Sequence, residues 1–299
     1  MLPRRLGQDE NDGHEDEGER LFCTVSDDRC SSDHDKSEYC CFWFCNEMKL
    51  FLKIRYDGTA YSGYQVQPNA PTVQSELNKA TSDLFGVQCD VTGCSRTDSG
   101  VHASCFCATV SAHETDSLET AIPVDRIPQA LNVRLPDDIA VFYAEFVPND
   151  FHPRYGVVSK TYEYLILNSK YRDPFLVNRA YHFPRYIDDN ALIQMQTAAQ
   201  AFVGKHDFTA FMAAGSKIAD AVRTVRYCSV EREGEIVKVR ISADGFLYNM
   251  VRIICGTLLE VAKGNISPEE VVGIIASRDR SMAGSTLPPQ GLYLVDVEY

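Results

Sequence analysis

The sequence predicts an α+β fold with mostly antiparallel sheets, and three observations carry that reading. Stretches that alternate apolar and polar residues with a period of two recur from residue 49 to the end. Two of them flank a short turn as a hairpin does. The few helical patterns between them do not alternate one for one with the strands, as a doubly wound parallel sheet would require.

Residues 1–47 are acidic and serine-rich, with little periodicity before the run Tyr39-Cys40-Cys41-Phe42-Trp43-Phe44. They read as a disordered extension or as an over-extended gene start, since Met48 stands just ahead of the first strand. In that strand Leu50, Leu52, Ile54 and Tyr56 alternate with Lys49, Phe51, Lys53 and Arg55. Asp57-Gly58 signals a turn. Thr72 caps a helix running to about Phe85, with Val73, Leu77, Ala80 and Leu84 on one face and Gly86 as its stop. A strand ending near Val91 follows, and then the alternating run Cys105-Phe106-Cys107-Ala108-Thr109-Val110. Residues 113–129 are irregular, 130–136 end a short helix or turn, and 139–146 are another strand.

Pro148-Asn149-Asp150 marks a hinge between two halves, residues 48–148 and 149–299. The second half opens with the strand 161–167, where Tyr162, Tyr164 and Ile166 share one face. Asp188 or Asp189 caps a helix carrying Leu192, Met195, Ala199 and Phe202, stopped by Gly204. Strands 222–231 and 236–243 form a hairpin around Glu233-Gly234. A helix from about Leu247 to Ala262 ends at Gly264. Ser267-Pro268-Glu269-Glu270 has capping-box spacing with proline at the first helical position, and 292–299 is the last strand.

Composition excludes several classes. No apolar run approaches the roughly 18 residues of a membrane span. Met1-Leu2-Pro3-Arg4-Arg5 lacks the apolar core of a secretory signal, which predicts a cytoplasmic protein. The 11 cysteines are odd in number and, without a signal, argue against a disulfide scaffold. Cys23, Cys30, Cys40, Cys41 and Cys45 fit no paired zinc spacing. Cys105 and Cys107 read as small packed residues on one strand face. The net charge of -13 does not suggest nucleic acid. Its distribution is uneven, however: residues 1–47 hold 13 acids and 5 bases, against 29 and 24 in the rest. A mildly acidic body can still line one groove with arginines, because phosphate attraction follows the local field.

The most informative stretch is Gly93-Cys94-Ser95-Arg96-Thr97-Asp98-Ser99-Gly100-Val101-His102-Ala103. It places Asp98 on a tight turn between two strands, where a sheet aims a loop side chain. From these residues alone, a turn with a capping aspartate is the better reading.

The stretch resembles the Arg-Thr-Asp signature of the TruA family of tRNA pseudouridine synthases. Four further blocks follow the family in the same order. They begin at Tyr56-Asp57-Gly58-Thr59, Phe151-His152-Pro153-Arg154-Tyr155, Gly204-Lys205-His206-Asp207-Phe208 and Gly245-Phe246-Leu247-Tyr248-Asn249-Met250-Val251-Arg252. Ser159-Lys160-Thr161-Tyr162 continues the second of these, and Gly291-Leu292-Tyr293-Leu294 closes the chain as in the family. The resemblance implies two similar mixed α/β domains whose sheets meet at a central catalytic cleft. It implies an isomerase that turns uridine into pseudouridine at positions 38, 39 and 40 of the tRNA anticodon stem-loop. The partners implied are tRNA and a second copy in a homodimer, with no membrane. No metal or cofactor is expected, because the isomerisation changes no oxidation state and imports no group.

By the same resemblance Asp98 is the catalytic carboxylate, as nucleophile or general base. Arg252 is its cationic partner, expected to lower its pKa. Tyr162 stacks on the target base, Arg96 holds the flipped nucleotide, and Tyr164 is core. Lys160, Arg154, Arg223 and Arg226 are candidates for phosphate contacts. His102 and His206 are expected to be structural, bonded to backbone carbonyls. Ser95, Ser99 and Tyr64 depart from the family's usual glycine, alanine and tryptophan. Two other readings compete. A catalytically silent RNA-binding module would keep the fold without turnover. An aspartate-dependent glycosyl hydrolase would ordinarily need a second carboxylate.

Overall fold

The computed structural model describes residues 48–215 and 220–299. The expectation for residues 1–47 lies outside them. The strands are β1 (Met48–Tyr56), β2 (Cys89–Gly93), β3 (His102–Ala112), β4 (Ile139–Pro148), β5 (Ser159–Leu167), β6 (Tyr181–His182), β7 (Gly204–Asp207), β8 (Val222–Glu233), β9 (Ile236–Ala243) and β10 (Leu292–Glu298). The helices are α1 (Val73–Phe85), α2 (Ile127–Asn132), α3 (Asp189–Gln200), α4 (Met250–Ala262) and α5 (Glu270–Ser277).

All ten strands join in one sheet, ordered β4-β1-β3-β10-β5-β9-β8-β7, with β2 on β3 and β6 on β5. The period-two segments explain the ladder. Leu50, Leu52 and Ile54 are fully buried and pair across β1 with Val110, Ala108 and Phe106 of β3. Phe51 belongs to the opposite, more polar set of that alternation, yet it too is buried. Its ring meets Phe151 and Tyr299 edge-on at 5.6 Å each, so the second face of the sheet is covered there as well.

Strand β10 joins the two halves. It runs parallel to β3 through Tyr293↔His102 and Leu294↔Ala103, and antiparallel to β5 through Leu292↔Tyr164 and Leu294↔Tyr162. Apart from β3–β10 and β5–β6, every pair in the sheet is antiparallel. The last strand in sequence therefore sits at the centre of the sheet, and the turn before β3 faces the start of β5.

Helix starts follow local chemistry. Thr72 and Ser75 form a reciprocal capping box at α1, and Gly86 ends it in the left-handed conformation. Asp188 caps α3 through the Ala191 N–H at 2.8 Å. Ser267 and Glu270 exchange bonds before α5: the Ser267 N–H reaches the Glu270 carboxylate at 2.7 Å. Several boundaries differ from the sequence reading. Helix α3 stops at Gln200, and Gly204 instead opens β7. Helix α4 begins at Met250 rather than near Leu247, because Asn249 is in the left-handed conformation, which a right-handed helix does not pass through.

Helix α4 is buried almost all round, as its apolar sequence requires. It also touches the segment before β10 backbone to backbone. A Cβ on Gly256 would lie 1.9 Å from the Ser285 carbonyl oxygen, and the Gly284 N–H donates to Thr257 Oγ1 at 2.9 Å. That contact brings the Leu287 carbonyl against Arg252. Overpacking of this kind costs about 1–3 kcal/mol. Gly256→Ala is therefore expected to lower the melting temperature by several degrees, and a melt identical to the parent would contradict the contact.

Candidate active site

The loop between β2 and β3 is pinned along its length. The Cys94 N–H donates to the Cys107 carbonyl at 2.8 Å, and the Tyr64 N–H donates to the Thr97 carbonyl at 3.1 Å. The hydroxyls of Tyr56 and Thr97 lie 2.7 Å apart in the interior. Gly63 makes this approach feasible: its φ is +96°, and a Cβ there would stand 2.8 Å from the Thr97 carbonyl oxygen. Asp98 thus projects from a turn with little freedom to move.

Arg252 reaches the same place from the first turn of α4. Its Nη1 is 3.6 Å from Asp98 Oδ2. Its Nε donates to the Leu287 carbonyl and its Nη1 to Asn249 Oδ1, both at 2.6 Å. The Asp98 side chain is 34 % exposed and that of Arg252 is 14 % exposed. The pairing expected from the sequence is present, and Arg252 pulls the Asp98 pKa down as expected, but the net shift is upward. Burial raises the Asp98 pKa above the ordinary carboxylate value, and the opposing pull of Arg252 does not cancel it. At 3.6 Å the guanidinium attracts the carboxylate without hydrogen-bonding to it.

Asp98 opens into a cavity of about 520 Å³. Tyr162 lines it and is 7 % exposed; its hydroxyl sits 3.2 Å from Ser95 Oγ, and its ring meets Phe246 edge-on at 5.0 Å. Burial pushes the Tyr162 phenol up, which keeps it neutral. Tyr164 is core, as expected: it is fully buried and its hydroxyl donates to the Pro288 carbonyl at 2.7 Å.

Arg96 is exposed at the cavity and makes no hydrogen bond or ion pair among the described residues. Lys160 and Arg154 also line the cavity. Lys160 Nζ donates to the Cys94 carbonyl at 2.7 Å, so it anchors the Asp98 loop, and burial holds its ammonium below the ordinary lysine value. Arg223 and Arg226 do not join this group. Arg223 folds onto the Asp220 and Val222 carbonyls, and Arg226 pairs with Glu298 at 2.8 Å.

His102 and His206 both bond backbone groups, as expected. His102 accepts from the Gly58 N–H at Nδ1 and bonds the Asn178 carbonyl through Nε2, and burial lowers its pKa. His206 Nε2 bonds the Val203 carbonyl. Of the three departures from the family pattern, Ser95 touches Tyr162 and Ser99 donates to the Tyr61 carbonyl. Tyr64 stacks on Phe106 at 4.3 Å. Phe246, Tyr248 and Asn249 also line the cavity, although sequence reasoning took only Arg252 from their block. The one available signal was a run of aromatics and an asparagine directly before a helix.

The raised Asp98 pKa has a definite sign in the linkage between protonation and folding. The fold favours the protonated acid, so ionised Asp98 lowers stability at neutral pH, and that penalty fades as pH falls through the ordinary carboxylate range. Asp98→Asn is expected to melt at or above the parent temperature at pH 7, with the difference closing on acidification. Removing the cation in Arg252→Gln should move the acid limb of any Asp98-dependent activity to higher pH. A limb that stayed in place would separate the two groups.

Comparisons with known proteins agree with this geometry. The family model described as tRNA pseudouridine synthase matches residues 53–156 and 198–299. The chain is 48% identical over 248 residues to tRNA pseudouridine synthase A of Acetivibrio thermocellus, covering 83% of this chain and 98% of that one. It is 46% identical over 252 residues to the protein of the same name from Ruminiclostridium cellulolyticum, covering 84% and 99%. The Bacillus subtilis protein of that name is 43% identical over 256 residues, again covering 84% and 99%. With a family model matched over more than half of its length and relatives covered almost whole, the chain belongs to the tRNA pseudouridine synthase family.

Proposed function

We propose that this isomerase converts uridine to pseudouridine at positions 38, 39 and 40 of the tRNA anticodon stem-loop, with Asp98 as its catalytic carboxylate. The observation that carries the reading is the half-buried carboxylate facing a tethered guanidinium in a cavity large enough for a nucleotide base. The isomerisation breaks the bond from C1′ to N1 and joins C1′ to C5. The proton on C5 is lost, and N1 gains one. A single carboxylate beside the ribose can attack C1′, remove a proton, or offset positive charge developing at C1′.

The remaining roles follow from placement. A uridine inside a stem must leave its stack to reach Asp98, which costs a few kcal/mol. Arg96, exposed and unpaired among the described residues, is suited to hold the extruded nucleotide. Tyr162 offers its ring to the base, a contact worth about 1–3 kcal/mol in comparable cases. Arg154 and Lys160 supply positive potential around the phosphate. Asp98 is the only carboxylate among the described residues lining the cavity, which disfavours two-carboxylate glycoside hydrolysis. The resemblance to the TruA family supports a homodimer with one RNA spanning both chains, working in the cytoplasm.

Mapping pseudouridine across total RNA, with the active protein and with Asp98→Asn, tests this reading. The variant is expected to bind tRNA and to leave all three positions as uridine. Turnover by Asp98→Asn, or pseudouridine appearing only elsewhere, would overturn it. Tyr162→Leu is expected to lose activity at least 10-fold relative to Tyr162→Phe if ring stacking matters. Equal, full rates for both would remove Tyr162 from the site.

A further inference from the structure

A non-glycine residue with positive φ is strained backbone, best tolerated by asparagine. Asn249 is such a residue, at φ +61°, immediately before α4. An asparagine there ordinarily has extended backbone and turns its side-chain oxygen onto a first-turn N–H. Asn249 does neither. Its backbone carbonyl accepts from the Ile253 N–H at 3.0 Å, but its side chain caps nothing. Its Oδ1 is turned onto Arg252 Nη1 at 2.6 Å instead.

That nitrogen is the one facing Asp98, and it stops 3.6 Å short of Oδ2. Arg252 Nε is held separately by the Leu287 carbonyl. A planar guanidinium fixed at two of its nitrogens has little freedom left to close on a third acceptor. An arginine free to move would form a shorter, charge-assisted pair with the nearest carboxylate. Such a pair would occupy the oxygen that the reaction needs.

We propose that Asn249 is a positioning residue that tethers Arg252 at a stand-off from Asp98, so that the carboxylate is faced by a cation yet left free to act on the substrate. The inference rests on the reading of Asp98 and Arg252 given above. The helix gives up its side-chain cap and holds strained backbone so that this oxygen can face the guanidinium. The groups around Asp98 are Arg252 on α4, Tyr162 and Lys160 on β5, Arg154 ahead of β5, and Arg96 on its own loop. Of these, Arg252 and Tyr162 act on it or respond to it electrostatically.

Asn249→Gly tests the tether, because glycine adopts the same φ without strain and lacks only the acceptor. Steady-state kinetics on unmodified tRNA are expected to show kcat lower by roughly 10-fold or more with KM within about 2-fold. The acid limb of kcat should move to lower pH as Arg252 closes on Asp98, and the melting temperature should not fall. Unchanged kcat, a limb that stays or moves to higher pH, or a loss of activity that tracks a loss of thermal stability would each overturn the proposal. Asp98→Asn, run alongside, separates the two readings. If that variant turns over, the catalytic assignment itself fails. If it is inactive while Asn249→Gly behaves as the parent, only the tether fails.

Discussion

A carboxylate two-thirds removed from water is costly to keep ionised unless a cation faces it, and the pairing of Asp98 with Arg252 meets that need across 154 positions of sequence. Most of the surrounding architecture can be understood as holding these two side chains in place. The Asp98 loop is pinned by backbone bonds from Tyr64 and Cys94. Arg252 is pinned by Leu287, whose segment is pressed onto α4 by the close approach at Gly256. Tyr64 and Leu287 both lie far in sequence from the groups they hold, so these anchors are set by tertiary packing.

Charge at the cavity differs from charge on the chain. The protein carries a net -13, yet the described residues lining the cavity include Arg96, Arg154 and Lys160 against one carboxylate. Much of the negative charge sits in residues 1–47. Attraction for an RNA backbone depends on the field at the groove and not on the sum, so the composition and the site are compatible. Lys160 donates to a backbone carbonyl at this cavity, and burial, with a smaller push from Arg154, holds its ammonium below the ordinary lysine value.

Three kinds of information were readable before any coordinates. Period two identified β1, β5, β8 and β9, because a strand buried on one side must alternate. Thr72, Asp188 and Ser267 identified helix starts, because a cap is a local bond. The Arg-Thr-Asp motif pointed to Asp98 by resemblance. Local reading failed where packing overrode it. Phe51 is buried on the face that alternation assigns to polar residues, and α4 starts late because Asn249 holds left-handed backbone.

The division between Tyr162 and Tyr164 shows the limit most clearly. Both lie on one face of β5, two residues apart, and periodicity treats them alike. Gly291 and the Pro288 carbonyl close over Tyr164, while Tyr162 is left at the cavity wall. The sign of the Asp98 pKa shift was equally out of reach, since it depends on how far burial outweighs a cation at 3.6 Å. Sequence by itself determined most of the elements, the loop that carries the acid, and the family, because propensity, capping and motif are short-range properties. Only the tertiary structure decided which side chains share the cavity and how far apart the two charges stand, because distances between residues remote in the chain are set by sheet order and backbone packing.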